Sequence, residues 1–177
     1  MASKKINRVS QFLGLTRISI GLVFLWAFVD KLLGLGFATC RDAKTGVVTE
    51  FCSKSWLHGG SPTLGFLKFG TKGPFASFYQ NLAGHSWVDW LFMMGLLLIG
   101  TALVFGVAMR LATITGSALL LMMWSAALWP ANNPVLDEHI VYILVLGALC
   151  YANDTQAFGL RSWWMNQPLV KKYPILQ

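Results

Sequence analysis

The chain has 177 residues, of which 55% are hydrophobic and only 12% charged, with a formal net charge of +7. This composition is too apolar for an ordinary soluble domain, and it predicts one membrane domain covering residues 1–177. The basic start runs straight into a long apolar stretch without a small-residue cleavage site. We therefore expect the first helix to remain as a membrane anchor instead of being removed as a signal peptide.

The apolar stretches predict an all-α membrane protein, a four-helix transmembrane bundle with spans at about 12–34, 88–107, 111–129 and 136–153. With the N-terminus inside, the inner side carries eight basic residues and one acidic residue, and the outer side carries six of each. This asymmetry predicts a multi-pass protein of the cell membrane with both termini in the cytoplasm. The basic surplus then reflects topology and contact with anionic lipid, not nucleic-acid binding.

Three ionisable side chains lie in the first span: Arg17, Asp30 and Lys31. Charge inside the hydrocarbon costs several kcal/mol unless it is paired or hydrated, so this helix is expected to face a polar interior. Helical periodicity places Arg17 and Lys31 on the face of Phe24, while Asp30 points elsewhere. We interpret Arg17 as a residue that snorkels to the membrane surface, and Asp30 and Lys31 as candidates for a site.

A long segment, residues 35–86, is expected to be an external loop between spans one and two, and loops of this length carry structure or function. Ser61-Pro62 has the pattern of a helix start, and Gly73-Pro74 has the same pattern. The second start precedes a run with one apolar face at residues 75–83. The loop is therefore expected to be partly helical, lying on the outer membrane surface or capping the bundle.

Two of the cysteines, Cys40 and Cys52, fall in this loop. We interpret them as a structural disulfide, which would stabilise the fold by about 3 kcal/mol in the chain-entropy model. A redox-active pair remains an alternative, although the spacing is not that of a C-x-x-C motif. Cys150 lies in a later span and is interpreted as a small packing residue.

Spans two and three are joined by a very short turn at residues 108–110, which predicts an antiparallel hairpin. Span two carries a seam of mostly small residues that would let another helix approach closely. The seam consists of Gly95, Ile99, Ala102 and Gly106. Span three presents Trp124 on a face that can hydrogen-bond across the bundle.

The fourth stretch begins after a turn rich in proline and asparagine, in which Pro134 can open the helix. Its apolar run, residues 140–152, is only thirteen residues long, so His139 and a neighbouring acid must be drawn toward the bilayer. His139 and Tyr142 share a helical stripe whose outer end lies at the depth of Asp30 and Lys31. The polar segment 154–177 is expected to be a cytoplasmic tail against the inner leaflet.

Spans one and four together define the predicted site. One interpretation is a cluster of salt bridges that fixes the register of the two helices. The other is a quinone site, in which a carbonyl oxygen accepts hydrogen bonds and an acid carries protons. The catalytic candidates are His139, Lys31, Asp30 and Glu138, and the quinone-binding candidates are His139, Lys31, Tyr142, Trp124 and Asn133. No metal or haem is expected, because the histidines are scattered and C-x-x-C-H is absent from the sequence.

Several motifs occur in an order that resembles the DoxX/DoxD family of small bacterial and archaeal membrane proteins. They are residues 17–21 with 30–32, 59–63, 73–76, 95–110, and Asn132-Asn133-Pro134 with 137–139. The resemblance covers most of residues 14–164. It implies a four-helix membrane bundle and the membrane subunit of a thiosulfate:quinone oxidoreductase, with relatives linked to thiol and oxidative-stress chemistry. The Cys40–Cys52 insertion departs from the family pattern.

The first functional hypothesis is therefore a membrane subunit that helps to pass electrons from a reduced sulfur compound or thiol to quinone. His139 would donate a hydrogen bond, Lys31 would stabilise the developing oxyanion, and Asp30 or Glu138 would relay protons. The alternative is a non-catalytic scaffold or accessory subunit of a larger respiratory or transport complex. In both cases the expected partners are the lipid bilayer and either a protein subunit or further copies of the chain.

Overall fold

The computed structural model describes residues 8–42, 44–130, 133 and 135–177. These residues are predominantly helical and contain no β-strand beyond two isolated bridges. The helices are α1 (Arg8–Leu33), α2 (Ala76–Asn81), α3 (Ser86–Phe105), α4 (Met109–Ala126), α5 (Glu138–Tyr151), α6 (Arg161–Met165) and α7 (Pro168–Lys172). The prediction of an all-helical chain is confirmed.

Three helices, α1, α3 and α4, are long and apolar enough to cross a membrane. The fourth expected span appears as the shorter helix α5, because Asp137 caps its start and the chain tightens into a 3-10 turn at Asn153–Thr155. A 14-residue helix covers about 21 Å, less than the roughly 30 Å of a hydrocarbon core. The membrane character thus rests on three helices.

The four longest described helices meet at Gly116 of α4. A Cβ built there would lie 3.2 Å from Leu146 of α5, 3.3 Å from Ile99 of α3 and 4.0 Å from Phe24 of α1. These three side chains belong to one buried apolar cluster that draws on all four helices. One side of each of these four helices therefore contributes to a shared core.

Helices α1 and α3 approach each other closely at Gly21 and Gly100. A Cβ on either glycine would lie 3.0 Å from the carbonyl oxygen of the other, so side chains at these positions would force the helices apart. Of the small-residue seam expected on α3, Gly95 therefore takes no part in this contact. Gly95 has no atom within 4 Å of a built Cβ, and α1 crosses α3 one turn further along.

The connecting segments close the two ends of this helix assembly. Residues 34–85, the loop, lie where α1 and α4 finish and α3 begins, which we name the loop end. Residues 152–177, the tail, lie at the opposite end, which we name the tail end. The tail is fastened to it by backbone hydrogen bonds from Ala157 to Ser10 (3.0 Å) and from Leu160 to Phe105 (2.8 Å). Val170 is fully buried, so the tail is packed against the helices.

Candidate functional site

Asp30 lies in the last turn of α1, with its carboxylate directed at the first residues of the loop. Its two oxygens accept hydrogen bonds from the backbone N–H groups of Phe37 (3.1 Å), Ala38 (2.8 Å) and Thr39 (3.1 Å). The side chain is 1% exposed. A buried carboxylate with three amide donors is satisfied as a charged group. Asp30 is a predicted proton relay, but its hydrogen bonds instead hold the first residues of the loop against the end of α1.

Lys31, the next residue, faces the interior of the loop end. Its Nζ lies 6.0 Å from the ring centroid of Phe92 on α3, over the face of the ring. Among the described residues no acidic side chain forms a salt bridge with it. A partly buried ammonium held by a ring quadrupole keeps donor capacity for another group.

His139 and Asp137 form the most developed polar pair of the predicted site. Asp137 caps α5, accepting hydrogen bonds from the backbone N–H of His139 (3.0 Å) and of Ile140 (3.3 Å) through Oδ1. Its Oδ2 lies 2.8 Å from Nδ1 of His139. The side chains are only 12% and 17% exposed for Asp137 and His139. The carboxylate therefore fixes the imidazole so that Nδ1 donates and Nε2 remains available.

Two of the remaining predicted residues, Trp124 and Asn133, are already engaged in hydrogen bonds. Trp124 donates its indole N–H to the carbonyl of Val135 (3.1 Å), and Asn133 Oδ1 accepts from the backbone N–H of Val135 and Leu136 (2.9 Å each). Both side chains thus shape the turn before α5. Tyr142 is partly buried one turn after His139, on the same helical face. Glu138 is exposed.

Two residues named with this turn, Asn132 and Pro134, lie outside the described residues. Within the described part of the chain, no hydrogen bond or salt bridge joins Lys31 to His139. The structure thus joins His139 to Asp137, which the sequence had grouped only as a neighbouring acid. The sequence could have revealed the helix cap, since aspartate at an N-cap accepts amides two and three residues later, but not the contact of its second oxygen with the imidazole.

Potential ligand atoms of Asp137, Glu138 and His139 lie within 4.8 Å of one another. These three residues are consecutive, and Asp137 is already engaged by two amides and an imidazole. The arrangement is accounted for as a helix cap, so we assign no metal to it.

Asp89 has a second anchoring role. On α3, it is 7% exposed and accepts hydrogen bonds from Ser61 Oγ (2.8 Å) and from the backbone N–H (3.2 Å) and Oγ1 (2.6 Å) of Thr63. The hydroxyl residues of the Ser61-Pro62-Thr63 turn therefore tie the loop to the first turn of α3. Asp30 and Asp89 together fix the loop at two points.

Arg17 lies at the tail end and is 1% exposed. Its guanidinium donates to the backbone carbonyls of Ala157 (3.3 Å) and Phe158 (2.8 Å), both in the tail. The expectation of a snorkelling residue at the membrane surface is wrong. The tail folds over the side chain, and backbone carbonyls replace the water that a surface arginine would contact.

Cys40 and Cys52 form a disulfide, with Cα atoms 5.7 Å apart and 12 residues of separation. Cys40 is buried, whereas Cys52 is partly exposed. Together with Asp30 and Asp89, this bond gives the loop a third fixed point. Cys150 is a free cysteine of intermediate burial in α5.

Replacing both Cys40 and Cys52 with serine is expected to lower the free energy of unfolding by about 3 kcal/mol, because the unfolded loop regains its freedom. Chemical denaturation in detergent, followed by circular dichroism, measures the change. A reductant should shift the natural protein by a similar amount and leave the double variant unchanged. A reductant-sensitive double variant would assign the shift to some other cause.

Comparison with protein-family models, curated proteins and solved structures found no match.

Proposed function

We propose that this chain is the membrane subunit of a quinone-linked oxidoreductase acting on a reduced sulfur compound or a thiol, with His139 and Asp137 as its proton-transfer pair. The observation that carries the proposal is the 2.8 Å contact between His139 Nδ1 and Asp137 Oδ2 in a largely buried setting. In this proposal α5 is the fourth span of a four-helix transmembrane bundle in the cell membrane. The termini are cytoplasmic, so the loop end faces outward.

Quinone reduction needs two electrons and two protons, and the pair suits the proton part. With Nδ1 directed at a carboxylate, protonated His139 can donate from Nε2 to a quinone carbonyl and recover its proton afterwards. Tyr142 lies one helical turn away on the same face. Lys31 supplies positive charge for the developing oxyanion, and its ring contact leaves the ammonium donors available.

Proton exchange with water falls to Glu138 in this scheme, because its side chain is exposed next to the pair. Asp30 is not given that role, since three amides already occupy its oxygens. The electrons come from the reduced sulfur donor, bound by a partner subunit. The order of motifs that resembles the DoxX/DoxD family supports the choice of quinone and sulfur donor.

Quinone reduction by the purified complex tests the proposal. His139→Gln is expected to lower turnover by about 100-fold or more, the usual contribution of a positioned acid or base. Asp137→Asn should also lower turnover and shift its pH profile, while stability is kept because asparagine caps helices as well as aspartate does. Lys31→Met should slow the reaction by removing the charge near the oxyanion.

Glu50→Gln provides the matched control for surface charge, because Glu50 is an exposed acid of the loop with no part in the proposed proton pathway. Turnover should therefore fall much less than in His139→Gln. Natural turnover in both His139→Gln and Lys31→Met would overturn the proposed site.

A second candidate function, an accessory subunit of a larger respiratory or transport complex, is favoured by the loop. The disulfide, Asp30 and Asp89 hold the loop, yet it exposes large apolar side chains, among them Leu57 (65%) and Phe69 (78%). A fixed loop with apolar side chains suits docking of another protein. Purification in mild detergent distinguishes the two, because an accessory subunit should co-purify with partners and lack quinone-dependent turnover by itself.

A further inference from the structure

A polar cleft of about 190 Å³ opens at the tail end, away from the proposed quinone site. Its lining brings together the start of α4, the end of α5 and the start of α6. The residues that matter for its chemistry are Arg110, Cys150, Asn153, Asp154 and Arg161. Sites for drug-sized ligands usually measure about 300–1,000 Å³, so this cleft suits a small polar group.

The two arginines of the cleft are not equivalent. Arg161 forms an ion pair with Asp154, but its Nε is buried without a hydrogen-bond partner among the described residues. Arg110 is exposed, and its guanidinium donates only to the backbone carbonyl of Pro174 (3.3 Å) within the described structure. The charged side chains of the lining are therefore two guanidiniums and one carboxylate.

We propose that this cleft binds a tetrahedral oxyanion of the phosphate class. Guanidinium groups match such anions because their N–H donors form a planar fork. The N–H groups of Arg110 and the partly exposed guanidinium of Arg161 supply charged donors, and the amide of Asn153 adds a neutral one.

Two sources can supply this chemistry, a free inorganic anion or the phosphate of a lipid headgroup. The cleft lies beside the ends of the long apolar helices, at the depth where headgroups meet protein. Tyr151, which also lines it, is 95% exposed, as expected for an aromatic residue at a membrane interface.

Binding to delipidated, detergent-solubilised protein separates the two sources. One titration uses inorganic phosphate and another uses phosphatidylglycerol, with phosphatidylcholine as the zwitterionic comparison. Native mass spectrometry and the shift in unfolding temperature serve as readouts. Saturable binding of phosphate identifies a free-anion site, whereas binding of phosphatidylglycerol alone identifies a headgroup site.

Arg110→Gln is the main variant, because the exposed side chain makes a single hydrogen bond to a backbone carbonyl. It is expected to weaken binding by at least about tenfold, the effect of losing one charge-assisted hydrogen bond. Lys172→Gln is the control, since Lys172 is an exposed cation of the tail that lies over Tyr173 and outside the cleft. Failure of both ligands to bind, or an equal loss in Lys172→Gln, would overturn the proposal.

Discussion

Asp30→Ala is expected to destabilise the loop end and to free the segment that follows α1. The substitution removes the acceptor of three backbone N–H groups, those of Phe37, Ala38 and Thr39. An amide that stays buried without a partner costs roughly 1–3 kcal/mol. Hydrogen exchange of residues 36–40, read by mass spectrometry, should accelerate strongly, and the unfolding temperature in detergent should fall.

Asp42 provides a matched control in the same loop. Its carboxylate is exposed and accepts hydrogen bonds from Thr45 and Lys44, whose amides hold its pKa below the usual range. Asp42→Ala should therefore loosen only its own turn, because the freed amides are hydrated. If Asp42→Ala accelerated hydrogen exchange in its turn as much as Asp30→Ala does at residues 36–40, burial of the carboxylate would not explain the difference between the two sites.

A third substitution, Asp30→Asn, separates anchoring from proton transfer. Asparagine keeps one acceptor oxygen, so the stability of this variant should lie between those of the natural protein and Asp30→Ala. If Asp30 were a proton relay, as the sequence suggested, Asp30→Asn would slow quinone reduction and change its pH profile without altering the exchange of residues 36–40. The structure predicts the opposite: Asp30→Asn should alter the exchange of residues 36–40 and leave the rate and pH profile of quinone reduction unchanged.

Much of the helical fold could be predicted because a long apolar stretch is a local signal. Helical spacing also placed Arg17 on the face of Phe24, and both side chains are buried. The exact crossing point of α1 and α3 was not predictable from α3 alone. It depends on Gly21 facing Gly100, a match between residues far apart in the chain.

The candidate site was harder to predict because its partners lie in irregular backbone. The sequence indicated that Asp30 and His139 needed polar partners, since charge is costly in a membrane. It did not indicate that backbone amides would satisfy Asp30 or that Asp137 would hold the imidazole. The path of a loop decides which N–H groups converge, and that path has no hydrophobic period.

Arg17 shows the same limit at the tail end. A lone arginine near the start of a span is usually a surface residue, and nothing local marked it as buried. Its cover comes from a tail about 140 residues later, where Gly159 leaves room for the guanidinium. A Cβ at Gly159 would lie 2.7 Å from Nη1 of Arg17. The glycines around Arg17 are thus part of the way this side chain is accommodated.

Gly106→Ala is therefore expected to be strongly destabilising. Gly106 ends α3 with φ of +68°, a conformation that costs other residues roughly 1–2 kcal/mol. A Cβ there would also overlap the guanidinium of Arg17, which would have to leave the carbonyls of Ala157 and Phe158. The two effects together should exceed about 3 kcal/mol, measured as a lower free energy of unfolding.

A double-mutant cycle separates the two contributions. In an Arg17→Met background the overlap is relieved, so Gly106→Ala should cost only the backbone strain of about 1–2 kcal/mol. Gly95→Ala is the control on the same helix, because a Cβ there has no neighbour within 4 Å and alanine favours helix formation. An equal penalty for Gly106→Ala in both backgrounds would mean that Arg17 does not occupy the space beside Gly106.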